Sequence, residues 1–217
     1  MPLSTATPGK LPNISDLRRV TQSIAMLDAI ISPDWEYRYY SYNAKWAEGE
    51  EMASMRDGCG DSWFILFDRN GAALKGFAHE CSFAKDISFA ARIQKAVPST
   101  FSSFLKEPAF DMNRVTFCFW RDKSSSAWHV VTPENGIVSP NDDGSAELIG
   151  ILDGNPSTYH VWAEAYYERA VSFSVVQAIY RHQSLAESLV AELNPELSLS
   201  EAAVNAVEIG YPHESNG

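Results

Sequence analysis

The chain has 217 residues, and its 17 Lys and Arg against 28 Asp and Glu leave a formal net charge of −11. With 45% hydrophobic and 21% charged residues it has apolar surface enough to bury a core, which excludes a disordered acidic tail. The acidity argues against general nucleic-acid binding, which needs Lys and Arg on phosphates, and against a basic membrane-surface helix. The charge is unevenly spread. Residues 1–50 carry −1, residues 51–150 carry −3, and residues 151–217 carry −7, with Arg169 and Arg181 the only cations of that last third.

Residues 1–12 are rich in Pro, Ser, Thr and Gly and read as a flexible arm without the apolar stretch of a signal peptide. Asn13 then caps a helix in which Ile14, Leu17, Val20, Ile24, Leu27 and Ile31 form one stripe, ended by Ser32-Pro33. Strand formers follow from Tyr37 to Tyr42. Trp63–Phe67 is apolar on both faces, and Asn70-Gly71 turns it back into Ala72–Phe77 as a central hairpin. Phe89–Val97 and Phe101–Leu105 read as short helices, and Val115–Trp120 with Ala127–Val131 as a second hairpin. This predicts an antiparallel sheet of four or five strands.

Thr132–Gly144 is the expected linker. Beyond it Asn155-Pro156 opens a helix with Tyr159, Trp162, Ala163 and Tyr166 on one side. Three capping boxes are expected after that, at Ser174/Gln177, Ser184/Glu187 and Ser198/Glu201. The fold class is α+β: an N-terminal helix, a central antiparallel sheet of hairpins and a helical C-terminal third. The division is a 1–12 arm, a 13–144 sheet domain and a 145–217 acidic helical region packed on it as one unit.

Several segments resemble a family of uncharacterised bacterial proteins. They are Met52-Ala53-Ser54-Met55-Arg56-Asp57-Gly58-Cys59-Gly60-Asp61 with Phe64–Phe67, Lys75-Gly76-Phe77 with His79-Glu80, Thr116–Arg121, Ile151–Pro156, Trp162-Ala163, Tyr166–Glu168 and Ile209–Pro212. The resemblance spans roughly residues 35 to 212 and implies a bacterial source and one folded unit. It implies Ser where Cys59 stands, and it brings no activity or functional residue with it.

The most site-like stretch is Arg56–Asp61, a loop whose two glycines free the backbone to approach a ligand. Hairpin geometry brings Asp61 and His79 to the same end of the ribbon, with Glu80 beside them. A carboxylate orienting an imidazole suits general acid–base work, whereas an ordinary salt-bridge network gives the same pattern. Cys59 needs exposure and a lowered pKa to act as a nucleophile. His79-Glu80 lacks a second metal-ligating His, Asn141–Gly144 lacks the calcium-loop spacing, and neither GxGxxG nor GxSxG occurs, so no metal or cofactor is expected. His129 is expected on the wetter face of its strand, and His182 at a helix end that favours a cation. The aromatic run Trp35, Tyr37, Tyr39, Tyr40, Tyr42 and Trp46 is too dense for one strand face, so part of it is expected at the surface, and Trp35, Tyr37 and Tyr39 with Arg56 and Asp57 are the candidate binding residues.

Three widely spaced cysteines, Cys59, Cys81 and Cys118, form no disulfide framework, and no run approaches the ~18 apolar residues of a membrane span. A cytoplasmic protein is expected. The leading expectation is a non-catalytic binding or immunity-type protein with a basic protein partner. The alternative is a small hydrolase or transferase using Asp61, His79 and Glu80, and a self-assembling scaffold is the third.

Overall fold

A computed structural model describes residues 2–131 and 142–213. Helix α1 (Ile14–Ile31) starts where Asn13 accepts the Asp16 amide at 3.0 Å and stops at Ser32. Six strands follow in simple chain order: β1 (Tyr40–Ala47), β2 (Glu50–Arg56), β3 (Ser62–Phe67), β4 (Gly71–Phe77), β5 (Phe117–Asp122) and β6 (His129–Val130). Every neighbour pair is antiparallel, so the sheet is a meander. This is the α+β architecture expected from the sequence.

The strand that the sequence hides is β2. Met52-Ala53-Ser54-Met55 shows no alternation because all four residues are buried, and a run of that length carries no period of its own. Gly49, with φ of 72°, supplies the left-handed residue that turns β1 into β2. The aromatic run is also split differently. Trp35–Tyr37 forms a 3-10 turn capped by Asp34 rather than the start of a strand, and β1 begins only at Tyr40.

The two sides of the sheet bury separate cores. Trp63, Ile65, Phe67, Leu74, Phe117 and Phe119 face α1 and the C-terminal helices. Phe64, Leu66, Ala73, Cys118 and Trp120 face α2 (Ile87–Ala96) and the chain through α3 (Ser102–Lys106), which adds Phe101, Phe104 and Phe110. That alternation is the period of two expected of a strand covered twice. Gly76 permits it locally: a Cβ there would stand 1.9 Å from the Phe117 ring.

The C-terminal third forms α4 (Ser145–Leu148), α5 (Pro156–Tyr167), α6 (Phe173–Tyr180), α7 (Glu187–Leu193) and α8 (Leu199–Ile209). One expected capping box forms, at Ser198 and Glu201. The other two do not. Helix α6 starts earlier, on Ser172, whose hydroxyl oxygen faces the Val175 amide, and α7 follows Ala186 without a side-chain cap. The Ser-x-x-Gln/Glu spacing is thus satisfied in sequence without marking the first turn, because apolar burial sets where each short helix begins.

Residues 2–12 are packed rather than loose. Leu3 and Leu11 are buried, and Thr5 donates from its hydroxyl to Asp143 Oδ2 at 2.5 Å and from its amide to Ser145 Oγ at 3.0 Å. Asp143 is thereby committed to the fold, and residues 132–141 of the expected linker, Asn141 included, lie outside the described residues. His129 is exposed as expected. His182 lies just past the end of α6, as expected, but in a left-handed conformation with its Nε2 3.0 Å from the Arg19 carbonyl oxygen, and burial lowers its pKa.

Asp28 joins three elements inside the larger core. Its Oδ2 accepts the amides of Tyr39 and Tyr40 at 3.1 and 2.8 Å, and its Oδ1 accepts the Tyr159 hydroxyl at 2.8 Å. Full burial pushes this carboxyl up to about 6, against which the amide and hydroxyl donors act. The native state therefore takes up a proton between about pH 7 and pH 4 that the unfolded chain does not, so this group adds stability as pH falls through that window. Asp28→Asn removes that dependence. Relative to the parent, the Asn variant gains on going from pH 4 to pH 7.5, by about 2 kcal/mol from a shift of roughly two pKa units. Urea unfolding at the two pH values measures it, and Asp28→Ala loses more than about 2 kcal/mol by orphaning the three donors.

Candidate functional site

The meander brings the ends of β2 and β4 and the starts of β1 and β3 to one end of the sheet. Arg56 leaves β2, the turn Asp57–Asp61 leads to Ser62 of β3, and His79 follows Phe77 of β4 across the hairpin. The turn is organised by one atom. Asp57 Oδ1 accepts the amides of Cys59, Gly60 and Asp61 at 2.8, 2.9 and 2.9 Å. Such a side chain replaces the backbone partners that a tight turn lacks.

Asp61 and His79 do meet. Asp61 Oδ1 accepts the His79 amide at 2.8 Å and lies 2.6 Å from its Nδ1. Their contact raises the His79 pKa, through the Asp61 hydrogen bond first of all. Gly60 makes the approach possible: its φ is 131°, and a Cβ would sit 3.1 Å from the imidazole. Glu80 is less engaged. Its carboxylate stands 3.7 Å from His79 Nε2 and is open to solvent, so the expected trio is a close pair with a peripheral acid.

Three depressions share this turn as a wall. One of about 320 Å³ is lined by Arg56, Asp57, Asp61, Phe64, Lys75 and Arg114, among others. A second of about 370 Å³ runs past Tyr39, Asp57, Asp61 and Trp162. A third of about 200 Å³ lies between Trp35, Tyr39 and Arg56. The candidate binding residues Arg56, Asp57, Trp35 and Tyr39 thus border connected ground, while Tyr37 lines none of the three.

The aromatic run divides by role. Tyr40 and Tyr42 are buried, whereas Trp35 and Tyr37 are 58% and 68% exposed. Tyr39 lies between these extremes, its ring 4.9 Å from both Trp162 and Tyr166. Cys59 is exposed, Cys81 half-buried and Cys118 buried, all as free thiols. Among the described residues no group of His, Cys, Asp and Glu has the makings of a metal site.

Sequence reasoning missed Lys75 and Arg114 in the first depression. The signal for Lys75 was present, since a Lys inside the apolar strand Ala72–Phe77 stands in a run with no wet face. Arg114 gave none, because it enters from the loop that precedes β5.

The Asp61–His79 pair stabilises the fold below the ordinary imidazole pKa and loses that contribution as pH rises through the elevated one. NMR titration of the ring protons measures the elevation. Asp61→Asn returns the His79 midpoint toward the ordinary value of 6.5, and Gly60→Ala lowers it in the same direction by pushing the ring aside.

No family model, curated protein or solved structure matches this chain, so its function is read from its own residues.

Proposed function

We propose that the protein is a non-catalytic binding protein of the immunity type, which recognises a basic protein partner through its acidic helical third. The observation that carries this reading is the outer face of α8. Val204 and Val207 are 71% and 51% exposed there, and they stand between Glu201 and Glu208. An apolar centre rimmed by one sign of charge is the composition that a complementary protein surface covers.

The surroundings reinforce the sign. Glu168, Glu187, Glu192 and Glu196 are exposed in the same third. Of its two arginines, Arg169 donates to the Leu193 carbonyl at 2.7 Å, so one of the two cations is drawn onto the backbone. Such a field raises the association rate of a basic partner and rejects acidic ones. It also repels nucleic acid.

A second reading rests on a different observation. The 2.6 Å Asp61–His79 contact, whose Asp61 lines two of the depressions while His79 lines none of the three, is an arrangement suited to general acid–base chemistry. It supports a small hydrolase or transferase, with His79 as the proton carrier and Asp61 as its orienting group.

The two readings separate by experiment. Immobilised protein incubated with extract of its native host retains a basic protein, and Glu208→Lys with Val204→Gln slows its association about tenfold. The Lys lies in the last turn of α8, where a cation suits the helix dipole, so the fold tolerates it. Capture of no basic partner, or a partner indifferent to both changes, defeats the binding reading. Turnover of ester or phosphoester substrates that His79→Gln abolishes would establish the second.

A further inference from the structure

Lys75 stands on β4 between Phe64 of β3 and Cys118 of β5, on the face covered by α2 and α3. It is 2% exposed. A buried ammonium normally sits against a carboxylate, because water no longer solvates it. Among the described residues this one has no ion pair. Its Nζ donates to the Arg114 carbonyl at 2.7 Å and lies 5.5 Å from the centre of the Phe64 ring. An ammonium has three donors, so two have no acceptor among the described residues.

Lys75 lines the 320 Å³ depression, and two further cations stand on the same wall. The Arg56 guanidinium lies 5.4 Å from the Phe64 ring centre, and that of Arg114 lies 4.4 Å from the Phe77 ring centre. Neither forms an ion pair among the described residues. Three carboxylates share the lining, yet two are already engaged. Asp57 Oδ1 holds the turn amides, and Asp61 Oδ1 holds His79. The third, Asp111, adopts φ of 42°, a left-handed conformation unusual for a residue with a side chain.

We infer that this depression is a binding site for a compact oxyanion, a carboxylate or phosphate monoester group, held by Lys75 at its base and by Arg56 and Arg114 at its rim. Phe64, Phe77 and Phe110 line it with apolar surface for the body of such a ligand. The acids on the wall set the size of the charge: a single head group fits beside Asp111, whereas a polyphosphate or nucleic-acid backbone meets repulsion. Burial pushes the Lys75 ammonium down to about 8, so it remains protonated at neutral pH and gains a partner when the anion enters. This site is independent of the acidic face of α8.

The test is a titration of the full chain with sodium acetate and, separately, inorganic phosphate at constant ionic strength, followed by amide NMR of Gly58, Gly60 and Asp61. Saturable shifts at these amides are expected with one or both probes, and the stronger probe identifies the head group. Lys75→Met preserves volume and removes the donors, and it weakens binding at least tenfold, as does loss of a charge-assisted hydrogen bond elsewhere. Arg114→Gln and Arg56→Gln change exposed rim residues, and they weaken binding even if the Met variant fails to fold. Absence of saturable shifts with both probes, or an affinity unchanged by every folded variant, overturns the proposal.

Discussion

The constraint on which the rest of this structure depends is the two-sided burial of the hairpin β3–β4. Trp63, Ile65 and Phe67 point one way and Phe64 and Leu66 the other, and all five are buried. A strand apolar on both faces has no wet side to offer, so the chain must cover the sheet twice. The N-terminal helix and the C-terminal third cover one face. The segment from α2 to Phe110 covers the other. Truncating Ile65 to Ala would cost about 2–5 kcal/mol by the usual cavity scale, which states how much rests on this layer.

Covering both faces leaves the ends of the strands as the places where polar chemistry can collect. At one end the turn Asp57–Asp61, His79 and the Lys75 pocket come together, because in an antiparallel meander β2 and β4 finish where β3 begins. Asp28 acts nearby as a polar tie between α1, the start of β1 and α5. A buried carboxylate of this kind stabilises little by itself but dictates which partners must be present. It orients the chain at Tyr39 and Tyr40, and hence one wall of the depressions around the turn.

The two functional features differ in kind. The face of α8 is a surface of charge and exposed valine, legible as long-range electrostatics. The pocket at Lys75 is local, built from cations that form no ion pair among the described residues. A protein can carry both, since one lies on a helix of the C-terminal third and the other on the opposite side of the sheet from that third.

Much of this was legible in the sequence. The apolar period of α1 and its Asn13 cap, the Asn70-Gly71 hairpin, the short helices near 89–105 and the concentration of acid after residue 150 are local or additive properties, and they hold in the fold. The meeting of Asp61 with His79 was also accessible, because a hairpin fixes which residues lie across from one another. Strand β2, the true starts of α6 and α7, the packing of residues 2–12 and the isolation of Lys75 were not. Each depends on partners far away in the chain: Thr5 on Asp143 and Ser145, Asp28 on Tyr159, Lys75 on Arg114. The sequence by itself determined the class of fold, the site-bearing hairpin and the address of the negative charge, since periodicity, turn chemistry and charge are sums over neighbours. Tertiary structure alone decided which polar groups are buried, paired or left open, because solvation belongs to the assembled core and not to the chain.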